Sequence, residues 1–171
     1  PRQFNDRTEV QHELERTLRQ LVAAGTPPDV ITFAGNGEPT MHPEFAAIID
    51  DTLALRDAHC PSAKVSVLSN ATRCGLPEVR QALLKVDNNI LKLDSAFDET
   101  VRMINNPGGH YTVAEVVDNM LLFDGKLIIQ SMFLRGEHNG QRIDNTTPRE
   151  LTAWLACIAR IRPAQVMVYS L

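Results

Sequence analysis

Residues 31–43 read Ile31-Thr32-Phe33-Ala34-Gly35-Asn36-Gly37-Glu38-Pro39-Thr40-Met41-His42-Pro43. An apolar run of β type ends in two glycines around an asparagine, then an acid set directly before a proline. Glycine lets the chain turn tightly and lets a ligand come close to the backbone. Pro39 pushes Glu38 out of the helical region and so fixes the direction of its carboxylate. Pro43 is suited to open a helix. The stretch therefore predicts a strand, a turn at its carboxyl end and a following helix, with the turn shaped for a small polar or cationic group.

Outward from this stretch the chain alternates between helical and strand periods. Val10, Leu14, Leu18, Leu21 and Val22 share one helical face, preceded by a capping box of Thr8 and Gln11. Val30 to Ala34 forms the strand just described, and Phe45, Ile48, Ile49 and Leu53 mark the helix after Pro43. Val65–Ser69 is the next strand, then a short helix with Val79, Ala82 and Leu83. Ile90–Asp94 is the third strand, and Thr112 with Glu115 caps a helix bearing Val113, Val116, Val117, Met120 and Leu121. Leu127–Leu134 is a long strand. Thr147, Pro148 and Glu150 open a helix with Leu151, Trp154, Leu155, Ile158 and Ile161, and Gln165–Ser170 is the fifth strand. Strands recur roughly every 25 to 40 residues with helices between, which predicts right-handed βαβ units and a parallel sheet. A flavodoxin-like open sheet and an incomplete α/β barrel both satisfy this order, and the second is preferred. Because a helix comes first, the first barrel strand is expected to be missing, and the chain reads as a piece of something longer.

The 171 residues fit a single domain, 1–171, with 43% hydrophobic and 22% charged residues, ordinary for a soluble globular protein. A formal charge of −4 argues against a broad nucleic-acid surface. No signal peptide or membrane-spanning run is visible, so no membrane is expected as a partner and the cytoplasm is the expected compartment. Cys60, Cys74 and Cys157 form neither a CxxC pair nor a disulfide framework. They read as apolar filler or surface thiols, and no metal site is expected among these residues.

The third strand carries charge. Leu91 and Leu93 share one face and Lys92 and Asp94 the other, because side chains alternate along a strand. The leucine face should meet the covering helices, which leaves Lys92 and Asp94 on the opposite side, the lumen in a barrel. Two readings stand: a mutually satisfied ion pair at the strand end, or a polar ligand site. On the long strand either Gln130 or Ser131 could face inward. Glu38, Asn70, Asp94 and Gln130 all fall at or near carboxyl ends of strands, where α/β sheets and barrels bind their ligands.

Gly35-Asn36-Gly37-Glu38-Pro39 resembles the Gly-Gly-Glu-Pro motif of the radical S-adenosylmethionine superfamily, which holds the amino group of the cofactor. Val67-Leu68-Ser69-Asn70 is similar to the Thr-Asn segment that ends the next strand of that family. Lys92-Leu93-Asp94 matches the strand position whose polar side chains contact the ribose or the methionyl end. Ile129-Gln130-Ser131-Met132-Phe133 with Arg135-Gly136 resembles the following strand and favours Gln130 as the inward residue. Asn145-Thr146 and Val166-Met167-Val168-Tyr169-Ser170-Leu171 look most like a subgroup described as iron–sulfur oxidoreductases.

The resemblance implies a partial TIM-like barrel and a cofactor site of Gly35, Asn36, Gly37, Glu38, Pro39, Ser69, Asn70, Lys92, Asp94 and Gln130. It implies S-adenosylmethionine and a 4Fe–4S cluster as cofactors of the complete protein. Such a protein cleaves S-adenosylmethionine reductively to a 5′-deoxyadenosyl radical that takes hydrogen from substrate, with a flavodoxin or ferredoxin as reductant. Asn36 stands where the motif has its second glycine. The family's CxxxCxxC loop does not occur in the 171 residues, so the chain alone is expected to hold no cluster and to be inactive.

Rival readings are weaker. In a dinucleotide fingerprint a third glycine would stand at Thr40. A metal-dependent hydrolase using His42, His110 and His138 with Asp94 or Glu38 lacks HxH or HExxH spacing. A non-catalytic α/β binding module is the remaining alternative. The loops 136–145 and 105–110 are the places to look for recognition of the substrate, whose identity is unknown. The strand Val30 to Ala34 would present an open edge, which predicts self-association there.

Overall fold

The computed structural model describes residues 4–34, 37–138 and 140–170. Gly35 and Asn36, two residues of the glycine turn, lie outside the described residues, as does the side chain of His138. The elements run α1 (Arg7–Ala23), β1 (Val30–Phe33), a 3-10 turn (Pro39–Met41), α2 (Phe45–His59), β2 (Lys64–Ser69), α3 (Pro77–Leu83) and β3 (Asn88–Lys92). Then follow α4 (Asp98–Asn105), α5 (Val113–Leu121), β4 (Ile128–Phe133), β5 (Arg135–His138), β6 (Gln141–Asp144), α6 (Pro148–Ile161) and β7 (Gln165–Ser170). The five main strands are hydrogen-bonded in the order β1-β2-β3-β4-β7, with β1–β2, β3–β4 and β4–β7 parallel. This is the α/β class and the strand order of a partial barrel, as expected.

The chain divides into two compact units, Pro1–Leu68 with Leu76–Asn89 and Ser69–Gly75 with Ile90–Leu171. In the first, Leu18, Leu55, Cys60 and Ala63 form a buried cluster against which Leu14 and Ile31 pack. The alternation of β1 thus turns Ile31 toward the helices, while Val30 on the other face is 47% exposed. Arg7 bonds both carboxylate oxygens of Asp51, at 2.7 and 2.9 Å, and ties α1 to α2. Asp87 accepts from the Val65 amide at 2.8 Å and from Arg56 at 3.0 Å.

The second unit is organised by Trp154 of α6. Its indole N–H reaches the Leu93 carbonyl at 3.1 Å and the Ser131 hydroxyl at 3.0 Å, and Ser131 itself donates to the Leu93 carbonyl. Ser131 therefore belongs to the Trp154 side of the sheet, which leaves Gln130 on the opposite face. Asn145 closes the base of the β5–β6 hairpin, with its amide on the carbonyls of Asp94 (2.8 Å) and Met132 (2.7 Å) and its oxygen receiving the Leu134 N–H (2.8 Å).

Several local expectations need correction. The cap of α1 is Asp6, whose carboxylate accepts from the amides of Thr8 and Glu9, rather than a Thr8–Gln11 box. A charged acceptor suits the positive end of the helix better than a hydroxyl already inside its first turn. Pro43 does not open α2, which starts at Phe45; the helix-like turn begins earlier, at Pro39, under the Glu38 cap. The third strand ends at Lys92, so Asp94 lies beyond it. Helix α4 was not expected. The segment read as a loop, 136–145, forms most of the antiparallel β5–β6 hairpin.

Candidate functional site

At the carboxyl end of β3, Lys92 is held by the residue two positions on. Its Nζ lies 3.2 Å from Oδ2 of Asp94, whose side chain is wholly buried while that of Lys92 keeps 26% exposure. Asp94 has further partners: Asn105 of α4 donates to Oδ2 at 2.8 Å and the Met132 amide to Oδ1 at 2.7 Å. The carboxylate is thus closed off on both oxygens, and only its cationic partner is presented outward. The ion pair of the first reading is present, and its Lys92 side lines a cavity.

That cavity, about 160 Å³, is lined by Asn70, Thr72, Lys92, Val101, Asn105, Pro107 and Tyr111. Asn70 sits in the turn after β2, where its side-chain oxygen accepts from the Thr72 amide at 3.0 Å and hydroxyl at 2.7 Å. Ser69 is buried and caps the same turn by accepting from the Ala71 amide at 3.1 Å. Ala71 takes a positive φ of 64°, so the turn is tight at that point. Tyr111 is 8% exposed, and burial, with the nearby Asp94, Asp98 and Cys74, pushes its phenol up to about 12. Gln130 pairs in register with Lys92 on one side and with Met167 on the other, half-buried on the face away from Trp154.

The glycine turn belongs to the other unit. Glu38 is extended (φ −96°, ψ 112°), the conformation Pro39 demands, and its carboxylate accepts from the Thr40 amide at 3.1 Å and hydroxyl at 2.6 Å. A methyl group added at Gly37 would meet no atom within 4 Å, so the space beside that backbone is open.

Sequence reasoning named Asn70 and Lys92 of this pocket and missed Thr72, Val101 and Tyr111. Asn105 and Pro107 fall in the segment singled out for substrate recognition. The missed residues carry no local signature, because a threonine, a valine and a tyrosine acquire a role only from what surrounds them.

The cysteines do not fit an iron–sulfur cluster. Cys60 is buried in the first unit; Cys74, buried, and Cys157 lie in the second. Burial pushes the Cys60 and Cys157 thiols up, whereas a cluster needs thiolates. Among the described residues no three of His, Cys, Asp and Glu come together as a metal site. His42 makes local contacts instead, with Nδ1 accepting from the Glu44 amide at 3.0 Å and Nε2 beside the Asn5 carbonyl at 2.9 Å. Among the described residues no helix is long and apolar enough to cross a membrane.

No protein-family profile matches the chain. A UPF0026 protein of Synechocystis is 28% identical over 145 residues, which are 82% of this chain and 49% of that protein. The UPF0026 protein MJ1312 of Methanocaldococcus jannaschii is 27% identical over 110 residues, 62% of this chain and 32% of the relative. The chain thus spans about half the length of the Synechocystis relative, or less of the archaeal one. A GTPase Obg of Brachyspira hyodysenteriae is 24% identical over 144 residues, 19% of its own length. The P-loop pattern GxxxxGK[ST] does not occur in the 171 residues. In structure the chain is similar to the crystal structure of archaeal TYW1, with a TM-score of 0.62, 13% identity, and coverage of 98% of this chain and 57% of that one. That likeness establishes the fold.

Proposed function

We propose that this chain is a core fragment of a radical S-adenosylmethionine enzyme and that its part is to bind the cofactor. The single observation that carries the reading is the pocket shared by Asn70 and Lys92, two of the residues the motif resemblance singles out. The fold supports it, since the parallel βα order is the one the resemblance implies. In this reading Lys92 and Asn70, which line one cavity of the second unit, meet the ribose or methionyl end of S-adenosylmethionine. Gln130 contributes a hydrogen-bonding side chain from the neighbouring strand. When bound, the cofactor supplies radical chemistry through an iron–sulfur cluster, and the cysteines of this chain do not fit that cluster. Hydrogen abstraction from a substrate therefore belongs to a complete protein that brings its own cluster ligands, with an external reductant.

Calorimetric titration of S-adenosylmethionine into the purified chain tests the reading. Saturable binding that weakens at least tenfold in Lys92→Gln supports it. Binding of a nicotinamide dinucleotide or stoichiometric zinc in its place would overturn it. The cysteine chemistry favours one second reading, a non-catalytic binding module, which predicts no binding of any of these ligands.

A further inference from the structure

We infer that the pocket between the end of β3 and the α4–α5 connection is a recognition site for a small anionic group, a carboxylate or phosphate carried on a short uncharged arm. The pocket's own geometry supports this independently of the cofactor reading. Lys92 is the one charged residue among those lining the cavity. Its counter-ion Asp94 has no exposed surface and is engaged on both oxygens, by the amide of Met132 and by Asn105 with Lys92. A ligand entering the cavity therefore meets the positive end of the pair and never the negative one. An ammonium has three N–H donors. Asp94 is the partner of Lys92 among the described residues, so donors remain for a ligand's oxygens.

The neighbouring turn adds positive charge. Arg73 follows the lining residue Thr72, and its Nε is buried with no hydrogen-bond partner among the described residues. Among the described residues no ion pair neutralises Arg73, so its charge stands one position from a residue that lines the cavity. Tyr111, which also lines the cavity, adds a neutral donor, since its phenol, raised to about 12 by burial, keeps its proton throughout the physiological range. No protein group bonds that hydroxyl among the described residues.

Size narrows the ligand further. At about 160 Å³ the cavity holds a fragment rather than a whole drug-sized ligand, which needs roughly 300 Å³ or more. Val101 and Pro107 make part of the wall apolar, which suits the methylene stem that carries the anion. Carboxylate or phosphate head, short stem, remainder outside: that is the ligand this shape admits. The head comes either from the methionyl carboxylate of S-adenosylmethionine or from the substrate.

The experiment is a titration of the 171-residue chain followed by amide chemical shifts, with acetate, inorganic phosphate and the neutral isostere acetamide as probes. One saturable site for acetate or phosphate is expected, at least tenfold tighter than acetamide, with shifts at Asn105 and Tyr111. Lys92→Met should weaken the anion at least tenfold and Lys92→Arg should restore most of it. Because Lys92→Met leaves Asp94 with one partner fewer, Tyr111→Phe is the second variant. It removes only a hydroxyl that bonds no protein group among the described residues, and it should weaken the anion about threefold with the fold intact, equivalent to about 0.7 kcal/mol. Equal affinity for acetate and acetamide, shifts elsewhere, or no saturation would overturn the inference. Displacement of acetate by S-adenosylmethionine assigns the anion to the cofactor, whereas simultaneous binding assigns it to the substrate; either supports the site. Acetate binding in a chain that ignores S-adenosylmethionine keeps the site and removes the cofactor reading.

Discussion

Asn145 donates its side-chain amide to the carbonyl oxygen of Asp94 at 2.8 Å, across 51 positions of sequence. The same amide reaches the Met132 carbonyl, and its oxygen takes the Leu134 amide, so one 1%-exposed side chain fastens the ends of β3 and β4. The direction of Lys92 depends on this, since Asp94 can hold the ammonium only while its own backbone is held.

Asn145→Ala should therefore be among the most damaging substitutions in the chain. It strands two carbonyls and one amide near the core, at about 1 kcal/mol or more each, so a loss of roughly 3–5 kcal/mol is expected. Urea unfolding measures it, and Thr146→Ala, which removes a hydroxyl bonded to Asp144, should cost about 1 kcal/mol or less. Equal costs for the two would refute the fastening role.

Glu150 is buried to 5% exposure yet takes two hydroxyl bonds at 2.6 Å, from Ser95 and Thr100. Glu150→Ala should cost about 2–4 kcal/mol, because both donors lose their acceptor. Glu150→Gln keeps one acceptor oxygen and should cost about half as much. A double-mutant cycle with Thr100→Val, read by denaturation, should show coupling of about 1 kcal/mol or more.

Two glycines with positive φ should respond differently to alanine. Gly25 (φ 73°) ends α1 in open space, with the Thr26 amide returning to the Leu21 carbonyl at 3.0 Å, so Gly25→Ala should cost about 1 kcal/mol. At Gly125 (φ 76°) an added methyl would lie 2.8 Å from the Arg162 carbonyl oxygen. Backbone must move there, and a cost of about 2–3 kcal/mol is expected in thermal or urea unfolding.

Acid should loosen the first unit. The Arg7 guanidinium holds Asp51 below the usual carboxylate range against the opposing effect of burial. Burial pushes Asp87 up, but the Val65 amide and Arg56 outweigh it and leave this carboxyl lowered too. A carboxylate depressed in the folded state stabilises fully above its unfolded value, about 3.9, and loses that stabilisation as pH falls through the folded value. Urea midpoints should accordingly fall below about pH 4, and Asp51→Asn and Asp87→Asn should each flatten the decline. An unchanged slope in both variants would contradict the assignment.

β1 ends the strand order, with Val30 47% exposed and Thr32 exposed beside it. An unpaired edge of this kind invites a second copy. Sedimentation equilibrium should show concentration-dependent dimers that Thr32→Lys weakens; a monomer at high concentration in the unmodified chain would end the proposal.

The main elements were legible because their signals are local. Leu14 and Leu18 mark a helical face within two turns, and the Thr112 and Thr147 caps bond the residues three positions on. Helix α4 escaped because it is only eight residues long, with Val101 as its one buried apolar residue. The β5–β6 hairpin did have a signal, the Asn139-Gly140 pair, and Gly140 takes the positive φ of 74° that such turns use. Its strands were too polar for the hydrophobic alternation that reveals the others.

Local pattern alone is enough for the alternation of strand and helix and for the placing of Asn70 and Lys92 at strand ends. Each of these follows from side-chain period and backbone preference within a few residues. Long-range packing is what closes Asp94 while Lys92 is presented, sets Ser131 with Trp154, and brings Tyr111 and Asn105 to the lining of one pocket. Those outcomes depend on which donors meet which acceptors across tens of residues, and no local rule carries that information.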